Sequence, residues 1–200
     1  LLDAVVTVVD AKHIWQHWDA DEAQEQFAFA DVILINKTDL VSSEQLEELE
    51  NRIRGMNAIA KIYRTQNAGL EMDALLGVKA FDLDRALEID PEFLGEDAHE
   101  HDEDVYSIAL VEEGELDGDK LDKWLTNLLQ TQGPDIFRTK GILTIAGEEN
   151  RFVFQGVHML LDGRPDRPWK ETETRKNELV FIGRNLDEAK LREEFRACVA

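Results

Sequence analysis

Residues 32–39 read Val32-Ile33-Leu34-Ile35-Asn36-Lys37-Thr38-Asp39, an aliphatic run that passes directly into polar residues. A short, continuous run of this kind has no polar face, which predicts a strand covered on both sides, as in a parallel sheet. A similar run, residues 4–9 (AVVTVV), lies upstream, and residues 61–64 (KIYR) follow downstream. Between the first two, residues 21–30 place Ala23, Phe27 and Ala30 on one helical face. After the second, Ser42 and Gln45 form a capping box ahead of Leu46, Leu49 and Ile53 at helical spacing. A short helix is expected at 72–76. Strand, helix, strand, helix, strand demands right-handed crossovers and predicts an α/β unit with a parallel sheet over residues 1–88.

The pattern changes at residues 88–104, EIDPEFLGEDAHEHDED, which hold nine acidic side chains and no lysine or arginine. Such a stretch buries little, so 89–104 is expected to be an acidic, histidine-containing linker. Residues 105–200 then predict an α+β unit in the order βαβββα. Its strands are expected at 105–111, 136–146, 151–161 and 179–183, with a turn at 147–150 and a polar loop at 163–176. Asp117 caps a helix whose Leu121, Trp124, Leu125, Leu128 and Leu129 form one stripe. A last helix, 187–199, turns Leu191, Phe195 and Cys198 inward.

The 200 residues carry 43 acidic and 22 basic side chains, a formal net charge of −21. That balance repels a phosphate backbone, so nucleic acid is not an expected partner. No apolar run approaches the roughly 20 residues of a membrane helix, so no membrane is expected either. Cys198 is the only cysteine, which excludes internal disulfides and a Cys-x-x-Cys zinc knuckle and suits a cytoplasmic location. The chain runs from Leu1 straight into a buried-looking strand, and it is expected to be part of a longer protein.

Asn36-Lys37-Thr38-Asp39 falls at the carboxyl end of a parallel strand, where open α/β sheets bind ligands. The residue types suit guanine. A carboxylate at Asp39 accepts two hydrogen bonds from the N1–H and exocyclic amine of guanine, a donor pair that adenine lacks. The Lys37 stem can lie along the purine face, and the Asn36 amide can bridge the base and neighbouring loops. The bland alternative is a polar strand-to-helix turn with Asp39 paired locally.

Four stretches, LDAVVTVVDAKH, EAQEQFAFADVILINKTDLV, FRTKGILTIAGEENRFVFQGVHMLLDGRPDRPW and LVFIGRNLDEAKLREEF, together resemble the CobW/cobalamin-synthesis-protein family of GTPases in residues and in order. The resemblance implies a truncated P-loop-type GTPase sheet followed by the CobW C-terminal domain. It also implies guanine specificity at Asn36, Lys37 and Asp39, GTP or GDP with Mg²⁺ as ligand, and delivery of Zn²⁺ or Co²⁺ to a metal-requiring client protein. One departure limits it: no Gly-x-x-x-x-Gly-Lys-Ser/Thr loop and no Cys-x-Cys-Cys motif occurs in these residues. This chain alone is therefore expected not to hydrolyse GTP. The alternatives are a stand-alone interaction or metal-buffering module, or a GTPase serving cobalamin assembly or nitrile hydratase activation.

Other residues carry two readings each. His99 and His101, set among carboxylates, are candidate ligands for a transition metal, or part of a solvated linker. His13 and His17 are spaced for one helix face but are interleaved with Trp15 and Trp18, which favours packing. His158 reads first as structural. Arg138 and Lys140 are either an interface pair or a charged strand edge, Cys198 reads as core, and Asp10 ends a strand on the ligand side without an evident role. With its first strands absent, the parallel sheet is expected to show an unpaired apolar edge and a tendency to self-associate.

Overall fold

In the computed structural model, which describes residues 4–75 and 105–200, the aliphatic run at 32–35 is the middle of a three-stranded parallel sheet. The elements in order are β1 (Val6–Asp10), α1 (Asp21–Phe29), β2 (Val32–Asn36), α2 (Ser43–Met56) and β3 (Lys61–Arg64), and the strands lie β1-β2-β3. Where a short helix was expected near residue 72, a single 3₁₀ turn runs Met72–Ala74. The expected linker, 89–104, lies outside the described residues, and the chain divides into two compact units, Leu1–Tyr106 and Ser107–Ala200.

Both faces of β2 are buried, for different reasons. Ile33 and Ile35 pack with Val9 against Phe27 of α1 and Leu46, Leu49, Ile53 and Met56 of α2. Val32 and Leu34 point the other way and pack with Ala4, Tyr63, Leu70 and Leu75. This two-sided burial is what a strand without polar alternation requires. The capping box is made as predicted: Gln45 N donates to Ser42 Oγ at 3.3 Å, and Ser42 N to Gln45 Oε1 at 3.0 Å. β1 has no strand on its far side among the described residues, and Val5, Val6 and Val8 are 37%, 39% and 56% exposed. That is the apolar edge expected from the sequence.

Asn57, wholly buried just beyond α2, ties the unit together. Its Nδ2 donates to the carbonyls of Phe27, Ala28 and Ala30 at 2.7, 3.3 and 2.9 Å. Its Oδ1 accepts from Ile59 N and Ala60 N at 3.2 and 3.0 Å. One side chain thus serves the buried carbonyls at the end of α1 and the entry into β3.

The second unit contains β4 (Tyr106–Glu113), α3 (Gly118–Gln132), β5 (Ile136–Leu143), β6 (Asn150–Val157), β7 (Leu160–Pro168), β8 (Lys176–Gly183) and α4 (Glu188–Arg196). The strands form one sheet in the order β4-β8-β5-β6-β7. The α+β class holds, but the order is βαββββα, one strand more than the sequence reading. The strand expected over 151–161 breaks at His158, which takes φ 50°, and the chain returns as β7 through part of the expected polar loop. β7 pairs only with β6, so Pro165 and Pro168 sit on an edge strand, where a missing N–H costs no ladder bond.

Trp124 of α3 packs on Phe181 of β8 and Phe195 of α4 at centroid distances of 6.1 and 5.6 Å. Its indole donates to Glu194 Oε2 at 2.9 Å. Asp117 caps α3 as predicted, accepting from the N–H groups of Asp119 and Lys120. Asn177, also fully buried, receives Thr144 N at 2.7 Å and donates to the carbonyls of Glu112 and Gly114, so it joins β8 to the neighbouring segments on both sides.

Two substitutions test these joints. Asn57→Ala strands buried amide and carbonyl groups and should destabilise the first unit by about 3 kcal/mol in denaturant unfolding followed by tryptophan fluorescence. A Cβ at Gly141 would lie 2.5 Å from the carbonyl oxygen of Glu178, so Gly141→Ala should prise β5 from β8 and lower the unfolding midpoint of the second unit.

Candidate base-recognition site

The three strands of the first sheet end together, and the sequence-predicted residues lie at that end. Asn36 is the last residue of β2 and stands opposite Asp10, the last of β1. Its side chain reaches across to the segment after β3. Asn36 Oδ1 accepts from Ala68 N at 2.8 Å and from Thr65 Oγ1 at 3.3 Å. Thr65 itself is buried, its N–H bonded to Ile35 O at 2.8 Å, and its carbonyl accepts from Thr38 Oγ1 at 3.1 Å. Asn36 thus bridges the Asn-Lys-Thr-Asp turn and a second loop, residues 65–69, that the sequence reading had not singled out. The second loop is tightly bent: Asn67 and Ala68 take φ 51° and 52°, and Gly69 N bonds back to Gln66 O at 2.9 Å. Its signal in the sequence was weak, a run of turn-forming residues after the third strand.

Lys37 turns the chain out of β2 in the left-handed region, φ 62° and ψ 36°. A non-glycine residue held there is uncommon and marks a constrained turn. The 3₁₀ turn Thr38–Leu40 follows, carrying Asp39 in its first turn. Asp39 is exposed, and none of the described residues makes a hydrogen bond or ion pair with its carboxylate. The local pairing of the bland reading is therefore not what the turn adopts.

Lys37 Nζ donates to Asp10 Oδ2 at 2.6 Å. The same carboxylate accepts from Lys12 N at 3.0 Å, His13 N at 3.2 Å and His13 Nδ1 at 3.0 Å. Lys37 and then His13 hold the Asp10 carboxyl far below the usual carboxylate range. A depressed value means the ionised form is favoured in the fold, so on the acid side the contact weakens as pH falls and Asp10 is protonated.

The remaining candidates separate. His13 and His17 do not share a helix face, because the turn between them is a single 3₁₀ turn, Ile14–Gln16. Both line a shallow cleft beside β1 with Thr7, Asp10, Gln26 and Phe27. The neighbouring tryptophans pack inward: Trp15 and Trp18 lie 5.6 Å apart, and the Arg52 guanidinium sits 4.8 Å over Trp18. Among the described residues no group of three or more histidine, cysteine or carboxylate side chains is placed to hold a metal. His99 and His101 lie outside the described residues. His158 sits at the turn between β6 and β7, its N–H on Phe137 O at 3.0 Å and its ring edge-on to Phe137.

Arg138 and Lys140 are not at a strand edge. β5 lies between β8 and β6, and the two side chains are only 4% and 5% exposed. They alternate with Thr139, whose neighbour Phe181 meets Trp124, so both cations lie on the face turned away from α3. Cys198 is buried, and burial pushes its thiol above the ordinary value, as befits a core residue rather than a nucleophile.

The geometry has counterparts in known proteins. Residues 1–64 match the family described as CobW/HypB/UreG, nucleotide-binding domain, and residues 105–199 match the cobalamin synthesis protein cobW C-terminal domain. The chain is 32% identical to the zinc chaperone YjiA of Escherichia coli over 98% of its own length and 60% of that protein. It is 33% identical to the zinc chaperone CobW of Pseudomonas aeruginosa over 88% of itself and 47% of that protein. The crystal structure of Zn(II)-bound YjiA GTPase from E. coli superimposes with a TM-score of 0.86 at 31% identity, covering all of this chain and 62% of that one. The chain thus spans about half to three-fifths of the relatives it matches.

The Asn36 bridge makes a ligand-free prediction. Asn36→Ala removes the acceptor of the Ala68 amide, and hydrogen exchange at Ala68 should quicken by about tenfold or more while amides in the middle of β2 stay protected.

Proposed function

The chain belongs to the CobW family, and on that premise we propose that it is the guanine-reading and client-facing part of a GTP-dependent zinc chaperone. The observation that carries the proposal is the unclaimed Asp39 carboxylate beside an Asn36 already committed to two loops. Guanine offers an N1–H and an amine that two carboxylate oxygens can accept together; adenine would leave them unpaired in a partly dried site. Asn36 acts through the loops, Lys37 offers its stem to the purine face, and Asp39 selects the base. The exposed bend at residues 66–69 lies at the same end of the sheet, held there by the Ala68 N–H on Asn36 Oδ1.

The base fits these residues; the phosphates and Mg²⁺ have no counterpart in them. No Gly-x-x-x-x-Gly-Lys-Ser/Thr run occurs in the 200 residues, so phosphoryl chemistry belongs to other parts of the site. Zinc enters as cargo rather than as a resident cofactor, with His99 and His101 as its proposed ligands in this chain. The names of the relatives, zinc chaperones in two bacteria and a zinc-regulated GTPase metalloprotein activator in Saccharomyces cerevisiae, support that role and the existence of a metal-requiring client. We place the work in the cytoplasm, a reducing compartment that suits the one free, buried cysteine. The exposed valines of β1 favour self-association when the chain is studied by itself.

Two measurements test the proposal. Xanthine carries a carbonyl where guanine carries its amine, so Asp39→Asn should weaken GDP binding by about tenfold or more and bring XDP binding up, read by titration monitored with NMR. Retained GDP preference in that variant would remove Asp39 from base selection. Zn²⁺ titration by calorimetry should lose its tightest site in the His99→Ala/His101→Ala variant; equal stoichiometry and affinity would assign zinc elsewhere.

A further inference from the structure

We propose that Asp10 is a positioning residue of the base site, holding the Lys37 ammonium so that the lysine stem stands ready as a wall for the purine ring. The proposal deepens the guanine reading above and rests on it.

Lysine is a poor platform when left alone. A side chain 46% exposed at the tip of a turn samples many rotamers, and a ligand that lies along it must first freeze them. Here both ends of the side chain are held. The root is fixed by the left-handed backbone at Lys37, which leaves little freedom in the direction of the Cα–Cβ bond. The tip is fixed by Asp10 Oδ2 at 2.6 Å.

Asp10 is itself placed before Lys37 arrives. It is the strand partner of Asn36 in the parallel register, and Ala11 N donates to Asn36 O at 3.0 Å, which locks the end of β1 to the end of β2. Its carboxylate is oriented by three donors from residues 12 and 13, two backbone N–H groups and the His13 ring. An ordinary surface ion pair has two floppy partners and contributes little. This one offers the lysine a fixed acceptor, so the ordering is prepaid by the β1 turn rather than by the ligand. Asp39, which reads the base edge, stays out of this arrangement and is not drawn away by Lys37.

The competing explanation is that Asp10 only caps the turn at residues 11–13, with Lys37 an incidental neighbour. Asp10→Asn separates the two. The asparagine carbonyl still accepts the backbone N–H groups of Lys12 and His13, but it brings no negative charge to the ammonium. A double-mutant cycle with Lys37→Met completes the comparison.

The experiment is a GDP titration of the full chain and its variants by NMR, with the Lys37 side-chain methylene signals recorded before nucleotide is added. Asp10→Asn should raise the dissociation constant about two- to tenfold, Lys37→Met by a similar factor, and the double variant no further than Lys37→Met alone. Asp10→Glu should recover part of the loss. Without nucleotide, the Lys37 ε-methylene protons should be inequivalent in the parent and averaged in Asp10→Asn. The proposal is overturned if Asp10→Asn binds GDP like the parent, if it costs as much in the Lys37→Met background as in the parent, or if the Lys37 signals do not change. A parent chain that binds no GDP overturns the guanine reading and this proposal together; a parent that binds and an Asp10→Asn that binds equally well overturns this proposal alone.

Discussion

The side chain of Asn57 is the joint on which the first unit turns. A parallel sheet is built from crossovers, and each crossover leaves a helix end whose carbonyls need donors in a place water does not reach. Asn57 supplies donors to the end of α1 and acceptors to the approach of β3 at once. With that approach fixed, Lys61 to Arg64 fall into register beside Val32 to Ile35, and Thr65 arrives where it can meet Ile35 and Asn36. The base-facing geometry at one end of the sheet is thus set by a hydrogen-bond cluster at the other. Asn177 does similar work in the second unit, on a different topology, by bonding segments on either side of β8.

What could be read from the sequence was what neighbours in the chain decide. The VILI run, the Ser42–Gln45 capping box and the Asp117 cap are local in origin, and each formed where it was expected. The Asn-Lys-Thr-Asp turn was equally legible because its position follows from the strand before it. The loop at 65–69 and the role of Asp10 were not, since both depend on register between strands far apart in sequence. β7 was missed because Gly163, Pro165 and Pro168 argue for a loop, and only an edge position reconciles them with pairing. The strand-edge alternative for Arg138 and Lys140 failed for a related reason: a cation in a sequence suggests a surface, whereas these two are buried and engaged on an inner strand of a sheet.

The charge distribution assigns different tasks to different terms. A net charge of −21 disfavours the approach of a polyphosphate and favours that of a divalent cation. Base discrimination does not depend on that field, because it rests on matching donors to acceptors at contact distance. The one lysine of the motif has its charge answered locally by Asp10, which leaves the hydrocarbon stem as its contribution to the ligand.

The bridge from Asn36 also bears on time. Its bonds to Thr65 and Ala68 span 29 and 32 residues, and the Lys37–Asp10 contact spans 27. The full set closes only after both crossovers are complete, and parallel pairings of this separation form slowly. The base-reading surface therefore cannot exist on a half-folded chain, although the strand that carries its motif can. A nascent or partly opened molecule would display Asn36-Lys37-Thr38-Asp39 as a loose turn without a pocket. Competence to recognise a base thus marks the completed fold.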